Sequence, residues 1–261
     1  MRNKTASLIN IGGLAFAMSV AILIGLWIFA ELGYDKVHSN YDKIAKVRQN
    51  VSVNNDIKTD KVVPLPLADE LRSAYKPFFK RVVRSSHRLA HVVSSDQKSF
   101  NQQGVFMDAE APGMLSLNML KGSINSLNDP HSIILTASAA KTYFGNEDPI
   151  EKVLSIDNKI DVKVTGVYED LPSNSTFASV KFIAPFALYL ANEKWVAKLA
   201  HTWDKSPIQT YVQIADDQNM ESVSGMIKNV VSDKNLNSLN KNQTEIFLEP
   251  MSKWHLYAEY K

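Results

Sequence analysis

Residues 5–30 read TASLINIGGLAFAMSVAILIGLWIFA, a run without Asp, Glu, Lys or Arg. A helix rises ~1.5 Å per residue and a bilayer's hydrocarbon core is ~30 Å thick, so a run of this length can cross it as one helix. A transmembrane helix is therefore expected over residues 6–30, with residues 1–5 as a short tail on one side and residues 31–261 on the other. The competing reading is a cleaved signal peptide, for which Ala15-Phe16-Ala17 offers a small-x-small motif. That motif sits mid-run, with MSVAILIGLWIFA still to come, whereas a signal peptide's apolar region is ~7–15 residues and ends at its cleavage site. A retained anchor fits better.

Within the run, Gly13, Ala17, Ala21 and Gly25 fall at successive i+4 positions and make a slowly turning stripe of small residues. Such stripes let two membrane helices approach closely, because association in lipid rests on van der Waals packing; small residues are also simply common in membrane helices. Trp27 and Tyr34 suit an interfacial aromatic belt. Charge leaves the orientation open, since Arg2 and Lys4 flank one end while Lys36, Lys43, Lys46 and Arg48 follow the other.

The residues after the run have ordinary globular character. The chain is 45% hydrophobic and 21% charged with net charge +2, which points away from disorder and from a nucleic-acid surface. It has no Cys, so disulfides are excluded. No low-complexity tract, fixed-period repeat or second spanning run is visible; the nearest candidate, residues 182–190, is too short to cross a bilayer.

Element signals recur in an informative order. Residues 31–45 read as a helical continuation, or a turn and short helix, leading into a strand at 47–54; PLPLADELRSAYK reads as a helix with Pro66 in its first turn and Pro77 ending it. Residues 80–93 alternate as one long strand. A second strand, helix, strand unit follows at IQTYVQIA (208–215), MESVSGMIKNVV capped by Asn219, and TEIFLEP (244–250). Two such units can pair as a split βαβ-βαβ sheet of ferredoxin-like type. The expected class is α+β, with residues 31–100 and 206–261 forming this sheet and residues 101–205 an inserted mixed α/β subdomain. The insertion carries strand signals at SIILT and DVKVTGVYED, a helix at ASAAKTYF closed by Gly145, and a turn-rich LPSNST.

Chemistry-bearing patterns are sparse. Ser138-x-x-Lys141 matches the S-x-x-K of penicillin-binding enzymes, but so do Ser73-x-x-Lys76 and Ser95-x-x-Lys98, and no K-T-G follows. On a strand, His87 and His91 would share a face ~13 Å apart, too far for one metal, and no H-E-x-x-H or Cys ligand supports zinc. Residues 145–152 look superficially like a P-loop but lack the second Gly and the Ser or Thr after Lys152. Asn50, Asn174 and Asn242 head formal glycan acceptors, as chance allows in an Asn-rich chain. No catalytic, cofactor-binding or metal residue is assigned.

Five passages in order carry a family resemblance: RNKTASLINIGGLAFAMSVAILI, ELGYDKVHSNYDKIAKVRQ, SIILTASAAKTYFGNEDPIEKVLSIDN, VKVTGVYEDLPSNS and PMSKWHLYAEY. The chain resembles the first transmembrane helix and extracytoplasmic core domain of an FtsX-like, MacB-type ABC transporter permease, particularly the Bacteroidetes group. It departs where such proteins usually carry Gly at Glu151 and an aromatic at Val37 and Ala45, which bears on a turn and on packing groups near the membrane.

The resemblance implies a mechanical role without a catalytic residue. A separate cytoplasmic ATPase would bind ATP, and this chain would couple its motion to export or to lipoprotein or peptide handling. Expected partners are that ATPase, other permease helices or a second permease copy, and membrane lipid, without nucleic acid. The expected location is the bacterial inner membrane, with a cytoplasmic N-terminus, a porter-like subdomain (31–100 and 206–261) and an insertion at 101–205, all of 31–261 being periplasmic. Such permeases need further helices after the outer domain, so the sequence reads as a fragment. A single-pass binding or sensor module and an anchored enzyme are the other classes.

Overall fold

The computed structural model describes residues 4–53, 56–96, 98–235 and 244–255. Arg2 in the N-terminal tail, Asn242 and the last part of PMSKWHLYAEY lie outside the described residues.

The apolar run forms α1 (Lys4–Leu32), whose last turn is closed by the Gly33 N–H donating to Phe29 O at 3.0 Å and Ala30 O at 3.2 Å. The stretch Ser7–Leu32 is long and apolar enough to span a membrane, a little longer than the expected 6–30. Turns over residues 33–40 and a 3₁₀ turn at Tyr41–Lys43 then lead into β1 (Ile44–Val53). The next strand, β2 (Asp56–Asp60), pairs back on β1 and was not foreseen.

Next comes α2 (Leu67–Ala74), with Pro66 at its N-cap rather than in its first turn and Pro77 in the 3₁₀ turn that follows. The expected long strand at 80–93 is two strands, β3 (Phe79–Ser85) and β4 (Leu89–Ser94), both antiparallel to β5 (Ser99–Met107). Ser85 faces Met107 and Leu89 faces Gly104, so the β3 side holds one more residue than β5 does. This is a bulge just after Ser86, which still faces Phe106: its N–H donates to Phe106 O at 2.9 Å and its Oγ accepts from Phe106 N at 3.0 Å, leaving His87 and Arg88 opposite Val105.

The insertion continues with α3 (Ala111–Met114), β6 (Met119–Lys121), β7 (Ser132–Thr136) and α4 (Ala137–Phe144). Thr136 caps α4 by accepting from Ala139 N, and Gly145 ends it at φ 62°, as its sequence suggested. It proceeds through β8 (Val153–Ile156), β9 (Ile160–Tyr168), β10 (Phe182–Pro185), α5 (Phe186–Asn192) and α6 (Lys194–Ala197). The second unit is β11 (Gln209–Ile214), α7 (Met220–Ile227), α8 (Val230–Lys234) and β12 (Thr244–Pro250). Asn219 caps α7 as foreseen, accepting from Glu221 N and Ser222 N. The single helix expected there is split, because Ile246 N of β12 takes the Lys228 carbonyl at 2.9 Å.

Strand order explains both halves. β3, β11, β1 and β12 lie side by side and antiparallel, the arrangement of a split βαβ-βαβ sheet. Ala45, Val47, Val82, Val212, Ile246 and Leu248 pack under α2 and α7 through Leu67, Leu71, Val223 and Ile227. The opposite face packs Ile44, Val83 and Tyr211 against Met107, Met114, Phe177 and Trp254.

β4, β5, β10, β7, β9 and β8 form a closed ring of pairings, completed where β10 runs parallel to β5 from Phe182↔Gly104 to Pro185↔Met107. Gly104 permits that closure, since a Cβ there would lie 2.0 Å from the Phe182 ring. β4 precedes residue 101 yet pairs within this ring, so strand pairing passes from one half to the other at the Ser86 bulge.

Candidate functional site: the joint between helix and domain

The chain leaves α1 through Gly33 and enters Tyr34-Asp35-Lys36-Val37-His38-Ser39-Asn40, a segment held by polar contacts. Asp35 is 1% exposed and sits at φ 60°, a left-handed conformation that short polar residues tolerate better than most. Its carboxylate accepts from Thr176 N at 2.6 Å, Thr176 Oγ1 at 2.6 Å and Ser175 Oγ at 3.1 Å, while its own N–H donates to Asn174 O at 2.8 Å. Asn174 Nδ2 donates in turn to Gly33 O at 3.3 Å, so the residue read as a glycan acceptor braces the helix exit. The turn-rich LPSNST passage is thus clamped to the first residues after α1.

His38, also 1% exposed, completes the clamp with Nδ1 2.6 Å from Leu115 O and Nε2 3.2 Å from Ser175 Oγ. Burial lowers its pKa below the ordinary histidine value; the Leu115 carbonyl and the Asp35 carboxylate oppose this. Asn40 Nδ2 donates to Met114 O at 2.9 Å and Gly113 O at 3.2 Å, and Ser39 N donates to Ser116 Oγ at 2.8 Å. The far end of the domain meets the same place. The Tyr34 and His255 rings stack in parallel at 3.7 Å, and His255 Nε2 lies 2.7 Å from Glu31 Oε2 on the last turn of α1. Trp254 donates from Nε1 to Glu249 O at 2.9 Å and packs on Tyr211 and Phe177.

Three segments far apart in sequence therefore converge within contact distance: residues 31–40, 171–177 and 250–255. All but Thr176 and Phe177 belong to the passages that carried the resemblance. Chemically the arrangement is a polar joint that satisfies buried groups and fixes the helix against both halves of the domain.

The stripe residues Gly13, Ala17, Ala21 and Gly25 lie along α1, exposed in the isolated chain, and a Cβ added at Gly13 or Gly25 would meet nothing within 4 Å. Ser138, in the first turn of α4, is bound to Asp170 instead of facing Lys141: its Oγ donates to Asp170 Oδ1 at 2.5 Å and its N–H to Asp170 Oδ2 at 2.8 Å, with Lys181 3.3 Å from the same carboxylate. Ser73 Oγ bonds back to Asp69 O, and Lys98 Nζ donates to Thr142 O, so those S-x-x-K matches are also local structure.

His87 falls in the bulge and His91 on β4, where His91 Nδ1 contacts Asp157 Oδ2 at 2.7 Å. Among the described residues there is no group of three or more His, Asp or Glu placed to hold a metal. A cleft of about 770 Å³ opens between β4, α4 and β8, and its Glu147 and Glu151 are paired with Lys152 and Lys163.

With the joint and the two-part domain described, comparison with known proteins becomes decisive. The model of the MacB-like periplasmic core domain matches residues 7–230. The chain belongs to that family. The family read from the five passages is thus the one matched. None of the curated proteins matches the chain by sequence.

Solved structures share the MacB-like fold. A domain of a putative permease protein from Porphyromonas gingivalis superposes with TM-score 0.64 at 16% identity, covering 82% of this chain and 91% of that one. The periplasmic region of MacB from Actinobacillus actinomycetemcomitans gives 0.57 at 17% identity, covering 85% and 95%. The extracellular domain of the noncanonic ABC-type transporter YknZ from Gram-positive bacteria gives 0.54 at 12% identity, covering 78% and 99%.

The departures from the family pattern now have physical addresses. Glu151 sits at φ 67°, where Gly is favoured. Val37 is 48% exposed, whereas Ala45 is buried in the cluster under α2 and α7. Sequence reasoning missed the joint itself. The available signal was the density of Asp, His, Ser and Asn in YDKVHSN and LPSNST, residue types that satisfy backbone groups in turns.

Proposed function

We propose that this chain is a permease subunit of an ABC transporter, in which the extracytoplasmic domain couples ATP-driven motion of a separate ATPase to export or to lipoprotein or peptide handling. The observation that carries this reading is the joint. Asp35 and Tyr34 tie the end of α1 to Ser175, Thr176 and His255, so a tilt or shift of the helix would move the domain as a lever instead of being absorbed in a loose linker.

In this reading the N-terminus is cytoplasmic, α1 lies in the bacterial inner membrane and the domain is periplasmic. The sheet of β1, β3, β11 and β12 acts as the porter-like part and residues 101–205, joined in the strand ring by β4, as the insertion, with the working seam at the Ser86 bulge. ATP is bound by the partner, not by this chain. Gly13, Ala17, Ala21 and Gly25 form the face on which other permease helices, or those of a second permease copy, pack in the lipid.

Cross-linking in native membranes, followed by purification of the chain under denaturing conditions, tests the reading. Recovery of an ABC ATPase and of further membrane helices joined to Cys introduced at the stripe is expected. Recovery of a cytoplasmic signalling protein with no ATPase would contradict it.

A further inference from the structure

Phe177, Tyr211 and Trp254 form one aromatic cluster beside the joint, with ring centroids 5.8 Å (Phe177–Tyr211), 5.4 Å (Tyr211–Trp254) and 6.4 Å (Phe177–Trp254) apart. Two cations rest on it. Lys46 Nζ lies 4.7 Å from the Trp254 ring centroid and 5.9 Å from that of Tyr211, and the Arg88 guanidinium lies 5.7 Å from Phe177. Arg88 is further fixed by donating to Thr176 O, the residue clamped by Asp35.

Neither cation is ion-paired with a carboxylate among the described residues, although acidic groups lie near. Glu249, which faces Lys46 across the β1/β12 pair, is engaged by Arg48 at 2.7 Å, and the Asp35 oxygens are filled by Ser175 and Thr176. Burial pulls Lys46 down to about 8, with Arg48, Arg88 and Lys61 adding to the effect and Glu249 opposing it. The aromatic faces stabilise cations and hold them in place, but they do not neutralise them. Position supplies the rest: Trp254 precedes His255, which stacks on Tyr34 directly after α1. Lys36 and Lys253 are exposed in the same two segments and add to the positive field.

We propose that Lys46 and Arg88 form a binding site for a phosphate-type anion, met at this level by the headgroup of an acidic phospholipid in the leaflet from which α1 emerges. Juxtamembrane cations are drawn to such headgroups. The proposal rests on α1 spanning a bilayer. If it does not, the chain fails to reconstitute at all, which separates that failure from failure of the site.

The full chain is reconstituted in phosphatidylcholine bilayers containing trace spin-labelled phosphatidylglycerol or spin-labelled phosphatidylcholine, and the motionally restricted fraction gives their relative association. Phosphatidylglycerol is expected to be preferred, the preference falling about fivefold or more in Lys46→Gln/Arg88→Gln and persisting in Lys46→Arg/Arg88→Lys. Far-UV circular dichroism and amide hydrogen exchange confirm that each variant is folded.

In a parallel arm, inorganic phosphate is compared with chloride at equal ionic strength for its effect on thermal unfolding in detergent. Stabilisation of the wild type and not of the Gln variant, without a lipid preference, supports the anion site with a soluble source. A preference equal in wild type and Gln variant, or no response in either arm, overturns the proposal.

Discussion

The Asp35 carboxylate takes two 2.6 Å hydrogen bonds from Thr176, one from its backbone N–H and one from its hydroxyl, across 141 residues of sequence. This contact joins the first turn after the apolar helix to the loop that follows β9. It stiffens what would otherwise be a linker.

Replacing Asp35 with Ala leaves three donors in a buried site without their acceptor, at a cost of about 3 kcal/mol. Denaturant unfolding of the chain in detergent should show that loss as a lower midpoint. Hydrogen exchange should rise at Thr176 while the β9 and β11 amides remain protected. Thr176→Val should lose less, because the backbone donor is retained.

The pH dependence follows from His38. Its folded pKa lies below the unfolded value of ~6.5, because burial disfavours the imidazolium. Between the two values the unfolded state binds a proton that the folded state refuses, so stability is full above ~6.5 and falls as pH drops below it toward the folded value. Unfolding free energies measured across this window should decline on acidification in the wild type. The decline should be shallower in His38→Gln, whatever that variant's absolute stability.

Gly104 underlies closure of the strand ring, its Cα facing the buried Phe182 ring. Gly104→Ala should destabilise the chain by about 3 kcal/mol through overpacking. Adding Phe182→Leu should recover part of that loss, and a double-mutant cycle by denaturant unfolding reads the coupling directly.

Glu151 holds a left-handed conformation at φ 67° and an exposed 2.9 Å contact with Lys163. An exposed pair contributes little, so relief of backbone strain dominates. Glu151→Gly should stabilise by about 0.5–1 kcal/mol, whereas Glu151→Ala, which keeps the strained conformation, should change stability little. Thermal unfolding of the two variants against the parent checks the difference.

Much of this architecture was written in local pattern. The uncharged run became α1, ASAAKTYF became α4 between Thr136 and Gly145, and the two strand, helix, strand units became one antiparallel sheet. These features depend on periodicity, caps and turn residues close in sequence. The hairpin strand β2 was missed because DIKTD is mostly exposed and has no hydrophobic alternation. The long strand at 80–93 was read whole because a bulge of one residue leaves alternation nearly intact on both sides.

Closure of the ring by β10 on β5 was not legible. It depends on pairing Phe182 with Gly104, a contact that no short window contains. The joint was hidden for the same reason. Asp35 and His38 look like ordinary turn residues until Ser175, Thr176 and Leu115 are brought to them.

The central claim is that α1 and the domain move as one body through this joint. The chain has no native Cys, so Leu32→Cys and Lys159→Cys, both at exposed positions, allow two spin labels to be placed cleanly. Pulsed electron paramagnetic resonance on the chain in bilayers then reads the distance from the end of α1 to the strand ring. A single narrow distribution that broadens in Asp35→Ala is the predicted result. A broad distribution in the parent, or one that Asp35→Ala leaves unchanged, would contradict the account.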